Sequence, residues 1–228
     1  MRDFSEFRDG NALTSDKNRE ALAQFLLGLR SRGITDHRLL SAFEKIPRKN
    51  FVPVIHVSDA YAPGQMPIEC GQSMTSVSMV ARVLSALEPE SGNRVLELGT
   101  GTGYQAALIS RLAKKIVSLE RYRTLHEKAG QRFSQLGIDN IICKLEDGSF
   151  GGSELGVSDR IVANFAFDDM PRHFIDNLAS NGIMIAPIGP ADGVQTMKKF
   201  VKIGSRLQVQ DLFQVRMQPA LSGISRAI

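Results

Sequence analysis

The sequence predicts an α/β protein on a doubly wound, Rossmann-like and mostly parallel sheet, preceded by helices and closed by an antiparallel hairpin. Three observations predict it. The run RVLELGTGTG at 94–103 reads as a buried strand (Val95, Leu96, Leu98) that breaks into glycines at 99, 101 and 103 and resumes as the helical YQAALISRLA. From residue 94 onward, apolar strand patterns alternate with amphipathic helical ones, as parallel βα units require. Near the end, MKKFVKI and RLQVQDLFQV flank Gly204–Ser205 and read as an antiparallel hairpin.

The elements follow in order. Residues 16–32 have helical spacing, with Leu22, Phe25, Leu26 and Leu29 on one face, a cap at Ser15 or Asp16 and a stop at Gly33. A second helix from Asp36 turns Leu39, Leu40, Phe43 and Ile46 inward until Pro47 ends it. Residues 47–75 are rich in proline, glycine and polar residues, and long irregular segments inside compact domains are often functional. A helix over about 76–88 leads into the glycine-rich unit. The units are then strand 94–98, helix 104–113, strand 116–119, helix 122–136, strand 140–145, strand 159–164, helix 171–179 and strand 183–188, with Gly137 as a helix C-cap. There is no internal repeat and no low-complexity segment.

The glycine-rich turn points to a ligand lying against the open end of the sheet, because its backbone needs unusual angles and close approach. Dinucleotide enzymes favour G-x-G-x-x-G, which places a pyrophosphate on a helix N-terminus. Here the pattern is E-x-G-x-G-x-G, and Glu97 before the turn suits a ligand carrying an ammonium group. S-adenosylmethionine is such a ligand. The strand IVSLE ends in Glu120, placed to accept hydrogen bonds from both ribose hydroxyls, unless it merely solvates a strand end. NIICKLEDG ends in Glu146, Asp147 and Gly148; Asp147 can accept from an adenine amino group, although Asp-Gly is also a plain turn. Three strand ends with suitable chemistry in the right order make cofactor binding the firm part of the reading.

The chain of 228 residues, 43% apolar and 23% charged, suits one domain over 1–228. Within it, 1–75 form a helical addition and active-site segment, and 76–228 the cofactor-binding core. No apolar run approaches membrane-spanning length, and MRDFSEFRDG lacks the apolar core of a secretory signal. Cys70 and Cys143 have neither metal nor redox spacing, and Cys143 reads as a small core residue. A cytoplasmic location is expected. The net charge of +4 comes from scattered groups (Arg30 and Arg32, Arg48 and Lys49, Lys114 and Lys115, Lys198 and Lys199), and there is no tryptophan. These are solvated surface rather than a nucleic-acid face.

The chain resembles the protein-L-isoaspartate O-methyltransferases, a family of class I S-adenosylmethionine-dependent enzymes, from about residue 17 to the hairpin. The carriers are IPRKNFVP (46–53), Tyr61, MPIECGQSMT (66–75), VLELGTGTGYQAA (95–107), SLER (118–121), LEDGSFG (145–151) and PIGP (187–190). The resemblance implies a seven-stranded sheet, S-adenosyl-L-methionine as cofactor with S-adenosyl-L-homocysteine as product, no metal, and methylation of the α-carboxylate of L-isoaspartyl residues in damaged proteins or peptides. A monomer is expected.

By the same resemblance Thr75 stands where the family has its presumed catalytic serine, and Gln72, Ser73 and Met74 fold over the cofactor. Glu97, Gly99, Thr100, Gly101, Thr102 and Gly103 match the methionine-binding turn, Glu120 and Arg121 the ribose side, and Asp147 and Gly148 the adenine side. Pro67, Ile68, Asn164 and Phe165 fall on substrate-binding segments. Thr75 is also a good N-cap for helix 76–88, and one side chain can fill both roles.

The departures cluster around the acceptor pocket. Tyr61-Ala62-Pro63 lacks the family's acid, Ser76-Val77-Ser78 replaces a proline and an aromatic or histidine, and Asn164-Phe165-Ala166-Phe167 replaces a small T-A-A-P turn. Phe165 and Phe167 narrow a pocket if they point inward. The string at 164–167 also partly matches the N-P-P-[FY] motif of nitrogen methyltransferases, without its two prolines. The alternatives are therefore a methyltransferase for another peptide or small-molecule acceptor, or a cofactor-binding protein that has lost catalysis.

Overall fold

The computed structural model describes residues 6–149 and 155–225. Its centre is a seven-stranded sheet of β3 (Arg94–Leu98), β4 (Lys115–Glu120), β5 (Ile141–Leu145), β6 (Ser158–Ala163), β7 (Leu178–Ile188), β8 (Gln195–Ile203) and β9 (Arg206–Val215). The spatial order is β5-β4-β3-β6-β7-β8-β9. The first five are mutually parallel, while β8 runs antiparallel to both β7 and β9. Two further strands, β1 (Met66–Pro67) and β2 (Ser73–Met74), form a separate small antiparallel ladder.

Alternation along the strands builds two apolar layers, since successive side chains face opposite sides. Val95, Ile183 and Ile185 join one cluster with α2 (His37–Lys45), α3 (Val77–Leu87), α4 (Tyr104–Ile109) and α5 (Arg123–Gln135). Leu96, Leu98, Met184 and Ala186 face the other way, towards Phe174 of α6 (Arg172–Asp176). The leading helix α1 (Glu6–Ser31) adds Leu26 and Leu29 to the first layer. Among the described residues no helix is long and apolar enough to cross a membrane.

Several element ends differ from expectation. The first helix begins at Glu6, so Ser15 and Asp16 lie within it and neither starts it; no proline interrupts 6–31, and those two side chains are outside the described residues. Helix 104–113 stops at Ile109, and the next residues form tight turns in which Ser110 Oγ donates to Ala107 O. Helix 171–179 shrinks to Arg172–Asp176 because Leu178 already pairs with Ser158 as β7 begins. That pairing carries a register shift, and Asn181 takes a left-handed φ of 63°.

The irregular segment 47–75 is ordered by short 3-10 turns at Arg48–Asn50, Val54–Asp59 and Glu69–Gly71, then by the β1–β2 ladder. It delivers Thr75 to the start of α3. At the other side of the site, Gly103 opens α4 with φ 88°, and a Cβ there would sit 2.7 Å from Phe133 Cζ. Gly103→Ala should therefore lose roughly 2–4 kcal/mol of stability, from left-handed strain plus overpacking. Urea denaturation checks this; a loss under about 0.5 kcal/mol would mean that α5 moves aside freely.

Candidate active site

The chain order reverses beside β3, where β4 lies on one side and β6 on the other. At such a switch point the loops leaving the strands' carboxyl ends part and make a crevice. A cavity of about 480 Å³ opens there, lined by the glycine turn, Glu120, Asp147, Gly148, Asn164, Phe165 and the 72–75 segment. Gly99, Gly101 and Gly103 all have positive φ, at 89°, 55° and 88°. The N–H groups of Gly99 and Thr100 both donate to Leu119 O, at 2.9 and 3.1 Å, which sews the turn to the end of β4.

Glu120 fixes that turn from its side chain. Its Oε2 accepts from Gly101 N–H at 2.8 Å and its Oε1 from Tyr122 N–H at 2.9 Å. A carboxylate offers four acceptor positions, and these backbone donors, with the nearby Arg121 N–H, leave part of that capacity for a ribose hydroxyl. Burial raises the Glu120 pKa, and the N–H groups of Tyr122 and Gly101 oppose that shift. Asp147 is more heavily engaged: Oδ1 accepts from both Ser149 N–H and Ser149 Oγ, and Oδ2 from Gly223 N–H. One position on Oδ2 is left for an adenine amino group. Burial works against the Asp147 charge, but the hydrogen bonds outweigh it and lower the pKa.

Glu97 is not where its spacing suggested. It is fully buried beneath the turn and does not line the cavity. Ser118 Oγ donates to its Oε2 at 2.6 Å, and Gln105 Nε2 to its Oε1 at 3.2 Å. Thr100 Oγ1 lies 2.5 Å from Ser118 Oγ, so the chain of contacts returns to the turn. Burial pushes the Glu97 carboxyl up to about 8, which leaves it protonated at neutral pH. Gly103 and Pro67 also lie off the cavity, the first against Phe133 and the second exposed on the small ladder.

The 68–76 segment forms another wall. Ile68 comes within 4.0 Å of the Cβ position at Gly101, and Gln72 Nε2 donates to the Tyr122 hydroxyl at 3.0 Å. Ser73 Oγ meets Gln65 Oε1 at 3.3 Å, and Met74 is buried. The cap of α3 is Ser76, whose Oγ accepts from Met79 N–H at 3.3 Å. Thr75 is thus not the cap, and it lines the cavity. Its carbonyl accepts from Arg48 Nη2 at 2.8 Å.

The segment 164–167 is less a pocket rim than a brace. Asn164 Nδ2 donates to Gly99 O at 2.9 Å, and Asn164 Oδ1 accepts from Gln105 at 3.0 Å. With its carbonyl engaged in this way, Asn164 is not aimed at an acceptor nitrogen. The Phe165 ring lies 3.4 Å from the Cβ position at Gly99 and 3.6 Å from that at Gly148, so it walls the cavity between the glycine turn and Gly148. Phe167 is buried in the core against Phe174. Pro63 is exposed. In LEDGSFG, Phe150 and Gly151 lie outside the described residues.

The sequence did not signal the strap formed by residues 216–225. Ala166 N–H donates to Gln218 O, and Ala220 N–H to Ala166 O, at 2.8 and 2.7 Å. Arg121 Nε donates to Gly223 O at 2.9 Å, while Asp147 accepts from Gly223 N–H, so both of these expected cofactor residues also hold the strap. Buried Gln195 anchors its start, accepting from Met217 N–H and donating to Pro190 O, each at 2.9 Å. Gln105 had one visible signal, a polar residue inside the apolar run YQAALI.

Glu97 yields a pH test. Its folded pKa of about 8 lies above the ordinary 4.5, so the fold keeps a proton that the unfolded chain releases. The stability tied to that proton is present below pH 4.5 and lost as pH rises through about 8. Glu97→Gln can still accept from Gln105 and donate to Ser118, without titrating. Its urea midpoint should gain on the wild type steadily from about pH 5 to about pH 8.5. Parallel profiles would mean that Glu97 is ionised in the fold.

The family model described as protein-L-isoaspartate(D-aspartate) O-methyltransferase matches residues 19–225. A protein-L-isoaspartate O-methyltransferase of Bradyrhizobium sp. (strain ORS 278) is 40% identical over 204 residues, 90% of this chain and 95% of that one. Another, from Azorhizobium caulinodans, is 40% identical over 211 residues, 92% of this chain and 97% of that one. A solved protein-L-isoaspartate O-methyltransferase superposes with a TM-score of 0.75 at 28% identity, over 89% of this chain and 67% of that one. A Plasmodium falciparum protein of the same description, in complex with S-adenosyl-L-homocysteine, shares the fold with a TM-score of 0.73 at 22% identity, over 87% of this chain and 97% of that one. Matched along nearly its whole length, the chain belongs to the protein-L-isoaspartate(D-aspartate) O-methyltransferase family.

Proposed function

We propose that the protein methylates the α-carboxylate of L-isoaspartyl residues in damaged proteins and peptides, with S-adenosyl-L-methionine as methyl donor. The observation that carries this reading is Thr75, which faces the cavity and is relieved of helix capping by Ser76. Family membership supports the activity and the cofactor. The cavity's chemistry fits the cofactor: Glu120 keeps acceptor capacity for the ribose and Asp147 one position for the adenine. Phe165 offers a flat wall between these ends.

When bound, S-adenosylmethionine supplies an electrophilic methyl group on a positively charged sulfur. The acceptor carboxylate, with an ordinary pKa near 4, is already ionised at neutral pH, so the protein needs no general base. Its task is to align oxygen, methyl carbon and sulfur, which is catalysis by positioning. In this reading the Thr75 hydroxyl donates to one carboxylate oxygen and leaves the other free to attack. The carboxylate oxygen's bond to the methyl carbon would replace the methyl–sulfur bond and leave S-adenosylhomocysteine. The methyl ester then cyclises to a succinimide as the backbone nitrogen displaces methanol, which reopens a route to normal aspartate. The same reading has the protein acting as a monomer in the cytoplasm, without nucleic acid.

The departures from the family pattern do not favour another acceptor: Ser76 caps a helix, Asn164 braces the turn and Phe167 packs the core. Labelled methyl should pass to an isoaspartyl peptide and not to its aspartyl counterpart. Cofactor binding with transfer to neither would overturn the reading. Thr75→Val should lower kcat/KM by about tenfold, the value of one hydrogen bond, and leave S-adenosylhomocysteine affinity unchanged. Glu120→Ala should weaken that affinity about tenfold to hundredfold, as calorimetry would show.

A further inference from the structure

A guanidinium is buried directly behind Thr75. Arg48 is 1% exposed, yet among the described residues no carboxylate pairs with it. Its Nη2 donates to Thr75 O at 2.8 Å, while Nε and Nη1 have no hydrogen-bond partner. The guanidinium carbon stands 4.9 Å from the centroid of the Tyr104 ring, and the buried Tyr104 hydroxyl interacts with the guanidinium short of well-formed hydrogen-bond geometry. The Tyr61 hydroxyl accepts only from the Arg48 backbone N–H, at 3.3 Å. Phe43 and Phe51 close the cluster around Tyr104, with centroids 6.4 and 5.4 Å away.

Such an arrangement is costly for the fold alone. Arginine stays charged in proteins, and a buried charge is tolerated when an opposite charge or a full set of hydrogen bonds compensates it. Here one carbonyl, one aromatic face and the neighbouring Tyr104 and Tyr61 hydroxyls do so, with no carboxylate among them, which is incomplete. The charge lies one residue's thickness from the cavity wall, because Thr75 both receives its hydrogen bond and lines that wall. Low-dielectric surroundings let its field reach the wall with little screening.

We propose that Arg48 is a positioning residue for the methyl acceptor: through the carbonyl of Thr75 it fixes that residue, and its uncompensated charge draws the acceptor's carboxylate to the same wall. This rests on the carboxyl methylation proposed above and adds how the anion is selected. Because the carboxylate loses its charge as the methyl group arrives, the attraction strengthens binding rather than the chemical step. Arg48 therefore governs KM far more than kcat.

The test compares two ligands of nearly the same shape, one anionic and one neutral: an isoaspartyl peptide and the same peptide with a carboxamide in place of the α-carboxylate. Their affinities are measured by calorimetry on the protein saturated with S-adenosylhomocysteine. Wild type should prefer the acid by about tenfold or more, and the preference should persist at about 0.5 M salt, since a buried charge is poorly screened. Arg48→Met should remove most of the preference, leaving what the Thr75 hydroxyl supplies, and raise KM about tenfold or more, with kcat within about threefold and S-adenosylhomocysteine affinity unchanged. Arg48→Lys, which keeps the charge, should restore part of the preference.

A folded Arg48→Met protein that still prefers the acid as wild type does would overturn the inference while leaving the proposed reaction intact. If Arg48→Met does not fold, wild type decides: no preference for the acid, or one erased by salt, equally overturns it. Failure of wild type to bind or methylate the isoaspartyl peptide at all would instead remove the reaction on which the inference rests.

Discussion

Glu120 does two jobs with one carboxylate. Its hydrogen bonds to Gly101 N–H and Tyr122 N–H hold the glycine turn against the end of β4, and only then do its remaining lone pairs face the cavity in a fixed direction. The turn determines where α4 begins, and α4 carries Gln105, which in turn supports Glu97 and Asn164. Asn164 closes the loop by donating to Gly99 O. Polar networks of this kind are worth having only when every member is satisfied, since the low dielectric that strengthens each bond also penalises a missing one. Glu97 illustrates the point: burial raises its pKa to about 8, and the hydrogen bonds from Ser118, Gln105 and Asn164 work against that rise.

The sheet was legible in the sequence because its strands obey simple rules. β3, β4 and β6 are largely buried on both faces, as covered parallel strands are, and the glycines that follow β3 mark a turn that few other residues can make. The acid at a strand end was equally readable at Glu120. Glu97 was not, since alternation gives the face on which a side chain lies and not what covers that face. Thr75 and Ser76 are both good caps in succession, and only the backbone tells which of them starts α3. The truncated α6 is a case of sheet pairing overriding local helical preference, with Leu178 drawn into β7. The strap has no period at all, and its partners Arg121, Asp147 and Ala166 are far away along the chain.

The residues that depart from the family pattern have local structural work here. Ser76 supplies the cap that frees Thr75. Asn164 replaces a small turn residue and repays its bulk with hydrogen bonds on both ends of its amide. Phe165, Phe167 and Phe174 form an aromatic ladder with centroid spacings of 5.2 and 5.9 Å, running from the cavity wall into the core. The substitutions thus read as a mutually adjusted set around an unchanged cofactor turn.

The strap has a thermodynamic consequence. Arg121 and Asp147 are gripped by residues 222–225 and also face the cavity, so a ligand lodged there and the closed strap share the same two side chains. Coupling of this kind is reciprocal: whatever closure contributes to ligand affinity, occupancy returns to the strap as protection against opening. The Ala220 and Gly223 amides, hydrogen-bonded to Ala166 O and the Asp147 carboxylate, would exchange with solvent at a rate set by how much methyl donor or spent product surrounds the protein.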